Sequence, residues 1–152
     1  MSIRIQQSDF DIGSEIKNLK AENTNIGAIV SFTGTVRQSS NGQTLTSMTL
    51  EHYPEMTEKE LRIIESEAND RWPLIDSLII HRYGELKPGD NIVLVVTMSP
   101  HRHAAFEAAS FLMDYLKNKA PFWKKEKTVT GDAIWVDARE TDEKSLERWQ
   151  KN

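Results

Sequence analysis

The chain has 152 residues, a formal charge of −4 and an ordinary mix of 38% hydrophobic and 28% charged residues, which suits one domain, spanning 1–152, with a real buried core. Its pI near 5.6 argues against wholesale electrostatic binding of nucleic acid. It has no cysteine for a disulfide, a thiolate ligand or a nucleophile. No apolar run approaches the roughly 20 residues a bilayer crossing requires. "MSIRIQQSDF" carries no secretory leader, so a cytoplasmic protein with no membrane association is expected.

In chain order, Ile12, Ile16 and Leu19 stand at helical spacing and predict a short helix over 11–20. "IGAIVSFTGTV", 26–36, is β-branched and reads as a strand. The polar loop "QSSNGQ", 38–43, leads to "TLTSMTLEHY", 44–53, expected as its antiparallel partner. Thr57 and Glu60 form a capping-box pattern that predicts a second helix, with Leu61, Ile64, Ala68 and Trp72 on one face and Pro73 as its stop. Residues 74–86 and 91–98 read as strands joined by the turn "KPGD". Ser99 is expected to cap a third helix, from His101 to Lys119, with Pro100 in its first turn and Pro121 just past its end. Two short strands, 122–129 and 133–138, and a helical tail complete an α+β chain expected to have one main sheet.

The stretch "DYLKNKAPFWKKEK", 114–127, raises the question of chemistry, because an acidic chain here gathers lysines and aromatic rings together. Met113 and Lys117 share a helix face. The Ala120-Pro121 break lets Lys124 fold back toward Lys117, where neighbouring ammonium groups would suit a general acid–base lysine or a nucleophile. The alternative is a solvated helix end whose cations complement the C-terminal dipole, and on the pattern alone that alternative leads. His101 and Arg102, at the start of the same helix, form a candidate anion site, with His103 a weaker third member. Arg37 and Arg139 end strands beside loops. His52 and His81 fall inside strands without metal-ligand spacing and read as packed or hydrogen-bonded residues. There is no HExxH, phosphate loop or G-x-S-x-G motif, so neither metal nor nucleotide cofactor is expected.

Five ordered segments carry a resemblance: "FTGTVR" (32–37), "LEHYPEMTEKEL" (50–61), "HRYGELKPGD" (81–90), "HRHAAFEAASFLMDYLKNKAPFWKKE" (101–126) and "WVDARE" (135–140). Together they resemble the catalytic large subunits of molybdopterin synthase, the MoaE family. The resemblance implies an α/β-hammerhead fold with an additional antiparallel β subdomain. It implies transfer of two sulfurs to cyclic pyranopterin monophosphate (precursor Z), forming the molybdopterin dithiolene. The sulfur would come from the C-terminal Gly-Gly thiocarboxylate of a small ubiquitin-like carrier subunit, within a heterotetramer built on a homodimer core. It makes Lys117 and Lys124 the catalytic residues. Arg37, His101, Arg102 and Arg139 become substrate-binding residues, and Phe32 and Met113 line the pocket near the carrier tail. Pro100 and His103 depart from the family pattern, which prefers small residues there. Two other readings stand beside it: an RNA-binding module using the basic-aromatic segment, and a non-catalytic scaffold gripping a ubiquitin-like tail.

Overall fold

The computed structural model of the chain describes residues 1–40, 42–131, 133–136 and 144–150. Strand β1 (Ser2–Gln6) precedes helix α1 (Ile12–Lys20), which is capped by the Asp11 carboxylate accepting from the Ser14 N–H at 2.8 Å. There follow β2 (Ala28–Thr35), the two-residue β3 (Ser39–Ser40), β4 (Gln43–His52), α2 (Pro54–Arg71), β5 (Asp76–Arg82), β6 (Gly84–Leu86) and β7 (Asn91–Ser99). Helix α3 (Arg102–Lys119), β8 (Phe122–Thr128), β9 (Ala133–Val136) and a 3-10 turn (Glu147–Trp149) complete the order.

Two sheets form, where the residue pattern alone suggested one main sheet and the family resemblance an additional antiparallel β subdomain. The first has the order β1-β5-β7-β2, with β1 parallel to β5 and the other pairs antiparallel. The second has the order β3-β4-β8-β9, and β6 also pairs with β4. So β4 is not the partner of β2, as adjacency in sequence suggested. β2 pairs with β7, and β4 pairs with β8 along Leu45–His52. The second sheet also takes the residues that follow β5. Gly84 adopts φ +93°, a conformation that side chains resist, and the turn there releases the chain from the first sheet after β5 and delivers β6 to the second.

The first sheet is covered on both faces, which explains the uninterrupted apolar runs of β5 and β7. Ile79, Val93 and Val95 face α2 and α3, meeting Leu61, Ile64, Ala68, Phe111, Leu112 and Leu116. Leu78, Ile80, Leu94, Val96 and Met98 point the other way, toward Phe10 and the partly buried Ile12, Ile16 and Leu19 of α1. Trp149 extends the first of these cores by packing edge-on against Trp72 and Phe111, and its indole N–H donates to Asp114 Oδ2 at 2.6 Å. A third cluster, of Val36, Met48, Leu50 and Leu86, belongs to the second sheet.

Both expected helix caps are corrected. α2 starts at Pro54 with Tyr53 as its N-cap, and Thr57 lies fully buried in the second turn, its hydroxyl 3.3 Å from His52 Nδ1. Proline at the first helical position starts α2 four residues earlier than the capping-box pattern does. Ser99 is claimed by β7, its hydroxyl donates to the His101 carbonyl, and His101 is the N-cap of α3.

Two outcomes are expected. The Gly27 N–H donates to the Ser99 carbonyl at 3.0 Å, and a Cβ at Gly27 would collide with the Pro100 backbone carbonyl. Gly27→Ala should therefore cost about 2 kcal/mol or more of stability, read as a lowered urea midpoint. His81, 5% exposed, has its pKa pulled from 6.5 to about 4 by burial. The unfolded chain takes up that proton below 6.5 while the folded chain resists it. The stabilisation is thus complete above 6.5 and is lost as pH falls toward 4. Urea midpoints at pH 7 and pH 5 should differ more in the wild type than in His81→Phe.

Candidate active site

A cavity of about 440 Å³ opens where the C-terminal end of α3 meets both sheets. This is within the usual range for small-molecule sites. Four local geometries build its wall. On α3, Met113, Leu116, Lys117 and Ala120 recur at helical spacing and present one stripe to it. On β8, the alternation of a strand turns Phe122, Lys124 and Glu126 inward while Trp123, Lys125 and Lys127 face away. Phe32 and Gly34 come from β2, the edge strand of the first sheet. Arg37 stands at the rim, where Val36 is pinned to the 87–90 turn by two backbone hydrogen bonds, Val36 N–H to Asp90 O at 2.9 Å and Gly89 N–H to Val36 O at 2.8 Å.

The return of Lys124 to the side of Lys117 follows from how α3 ends. Ala120 is extended (φ −72°, ψ 127°), the conformation that a following proline favours. Pro121 cannot continue the helix, and the chain reverses into β8, which pairs with β4 so that Lys124 lies opposite Leu50. Five of the eight residues singled out from the sequence, Phe32, Arg37, Met113, Lys117 and Lys124, therefore line one cavity. Phe32 remains 42% exposed and Lys117 is exposed, so the cavity is open to solvent.

His101 and Arg102 do not join them. They lie exposed at the opposite end of α3, and fifteen residues of helix separate Arg102 from Lys117, roughly 22 Å along the axis. His101 caps α3 through its backbone geometry with no side-chain hydrogen bond to the helix. His103 is exposed at the same end. Arg139 lies outside the described residues.

The cavity also contains groups the sequence reading did not select. Glu126, 7% exposed, accepts from the Ser40 hydroxyl at 2.8 Å and sets a carboxylate among the cations. His81, read from the sequence as a packed residue, is packed and also lines the cavity. Its ring stacks on Phe122 at 3.7 Å between centroids, 16° from parallel, and its Nδ1 bonds to the Arg82 carbonyl at 2.8 Å. The signal for both was available as strand alternation. His81 is two residues beyond Ile79, whose side chain faces α3, and Glu126 is two beyond Lys124. Among the described residues, no three His, Asp or Glu side chains gather as a metal ion requires, and no helix is long and apolar enough to cross a membrane.

Comparisons with known proteins agree with this architecture. The sequence profile of the MoaE family, described as MoaE protein, matches residues 5–119. A molybdopterin synthase catalytic subunit from Ralstonia nicotianae is 57% identical over 148 residues, covering 97% of this chain and 84% of that one. Among solved structures, a molybdopterin biosynthesis MoaE protein from Burkholderia ambifaria superposes with a TM-score of 0.83 at 53% identity, covering 97% of each chain. Molybdopterin synthase from Staphylococcus aureus gives 0.81 at 33% identity, covering 88% of this chain and 96% of that one. With a matching profile over most of its length and relatives above half identity across nearly all of it, the chain belongs to the MoaE family of molybdopterin synthase catalytic subunits.

Proposed function

We propose that this cavity is the sulfur-transfer site of a molybdopterin synthase, and that the chain acts there as a single-domain cytoplasmic catalytic subunit. Its substrate is cyclic pyranopterin monophosphate. Its sulfur donor is the C-terminal Gly-Gly thiocarboxylate of a small ubiquitin-like carrier, and its product carries the dithiolene. The observation that carries this reading is the convergence of Lys117, Lys124 and Arg37, from three separate segments, on one cavity with apolar walls.

Each of the two transfers forms a C–S bond on the pterin, from which an oxygen substituent leaves as water, and breaks the C–S bond at the carrier terminus, where the oxygen of a water molecule takes the place of sulfur and leaves a carboxylate. The donor and the substrate are both anions, so cations held at a partly apolar wall compensate charge without a metal. Lys117 serves as general acid and base in turn. Lys124 assists in binding and stabilises oxyanions that develop at the thiocarboxyl carbon. Arg37, and Arg139 on the family resemblance, hold the phosphate. Phe32 and Met113 line the approach of the carrier tail and exclude water from the reacting sulfur.

His101 and Arg102 are too far along α3 to share a substrate with Lys117 of the same chain. The homodimer core of the proposed heterotetramer resolves this if these two residues serve the cavity of the neighbouring copy. The RNA-binding alternative fares worse. The 114–127 segment offers no continuous basic strip, because Lys117, Phe122 and Lys124 turn into the cavity while Lys125 packs over the Trp135 ring at 5.6 Å.

Lys117→Ala should melt like the wild type, still bind the carrier, and form dithiolene at least about 100-fold more slowly. Near-normal turnover would remove Lys117 from the mechanism. Arg37→Ala should raise the KM for the pterin phosphate about tenfold or more, as expected for loss of a charge-assisted hydrogen bond. Mixing Lys117→Ala chains with Arg102→Ala chains should recover turnover that neither shows alone. No recovery after subunit exchange would confine Arg102 to its own chain or to no role.

A further inference from the structure

Among the described residues, two buried polar side chains line the cavity that holds Lys117: Glu126, which already accepts from the Ser40 hydroxyl, and His81. Three features fix its chemistry. The Arg82 carbonyl is only an acceptor, so Nδ1 must carry the hydrogen of that 2.8 Å bond. In the neutral ring Nε2 then has a lone pair. Stacking on Phe122 at 3.7 Å and pairing of the β5 backbone with β1 and β7 leave the imidazole little freedom to turn. Nε2 makes no hydrogen bond among the described residues.

The surrounding ionisable groups are Lys117 from α3, Lys124 and Glu126 from β8, His52 from β4 and Arg37 beyond β2. Lys117 acts on the imidazole electrostatically, as does His52, whose ring also packs near Phe122. The Lys117 ammonium likewise makes no hydrogen bond or ion pair among the described residues. A rigid neutral acceptor and a long, mobile cationic donor thus share one cavity wall.

We propose that His81 is a positioning residue for sulfur transfer: its Nε2 accepts a hydrogen bond from the Lys117 ammonium and directs the remaining N–H groups of that lysine toward the substrate. The proposal rests on the sulfur-transfer reading of the cavity. It requires the imidazole to be uncharged, and burial keeps it so, since the ring does not readily take a proton until about pH 4. A protonated ring would repel the ammonium it is meant to hold.

The test compares Lys117→Ala, His81→Phe and His81→Gln in steady-state dithiolene formation with thiocarboxylated carrier and the cyclic pterin phosphate. Phenylalanine keeps the ring on Phe122 but has no acceptor, and glutamine keeps an oxygen near the Nε2 position. His81→Phe should lower kcat about tenfold, the worth of one such hydrogen bond, with KM within about twofold. His81→Gln should recover most of that loss. Wild-type kcat in His81→Phe, or equal loss in both His81 variants, would overturn the proposal, the second outcome assigning the ring a packing role. Normal turnover in Lys117→Ala would instead overturn the reading of the site. If His81→Phe fails to fold, nitrogen-15 NMR of the wild type decides. The His81 Nε2 resonance should move on Lys117→Met, and a resonance that stays in place would overturn the proposal.

Discussion

The candidate site depends on one backbone constraint, the way α3 stops. Lys117 and Lys124 are seven residues apart, and a continued helix would carry them two turns away from each other. Ala120, extended ahead of Pro121, ends the helix, and pairing of β8 with β4 over Leu45–His52 draws the following residues back across the end of α3. The pairing energy of an entire strand thus holds two like charges near one another.

The same strand pairing sets what lies between the cations. Because β8 alternates, Lys124 can face the cavity only if Phe122 and Glu126 do so too. Phe122 supplies the surface on which His81 stacks, and Glu126 moderates the positive charge while tied to Ser40. The site is therefore neither a bare basic patch nor a dry pocket. It is a cationic wall with an apolar floor, one buried carboxylate and one neutral imidazole. Such a mixture suits a reaction in which two anions must approach each other before sulfur moves.

Placing His101 and Arg102 at the far end of α3 divides the work of the helix. Its C-terminal turn faces the chain's own cavity, and its N-terminal turn, with two basic side chains exposed beside free backbone N–H groups, faces outward. A symmetric pair of chains is an economical way to bring the two ends to one substrate, because each copy then supplies what the other lacks. The resemblance to known enzymes grouped these residues as one binding set without saying that they come from separate ends of a long helix.

Much of this was legible from residue order. The helical stripes of α2 and α3, the apolar runs of β5 and β7 and the stop at Pro121 all follow from local patterns whose physical cause lies within a few residues. Strand partners were not legible. β4 follows β2 closely in sequence yet pairs with β6 and β8, because pairing is decided by which apolar faces can be buried together, and Met48 and Leu50 of β4 are buried with Val36 and Leu86 rather than against the first sheet. The roles of Ser99 and Thr57 were hidden for a related reason, since a hydroxyl that could cap a helix can equally be taken into a strand or a core. His81 looked like an ordinary strand histidine, and locally it is one. Only the tertiary structure set its ring against Phe122 and into the wall of the lysine cavity, because α3, β5 and β8 meet there through contacts between residues far apart in the chain.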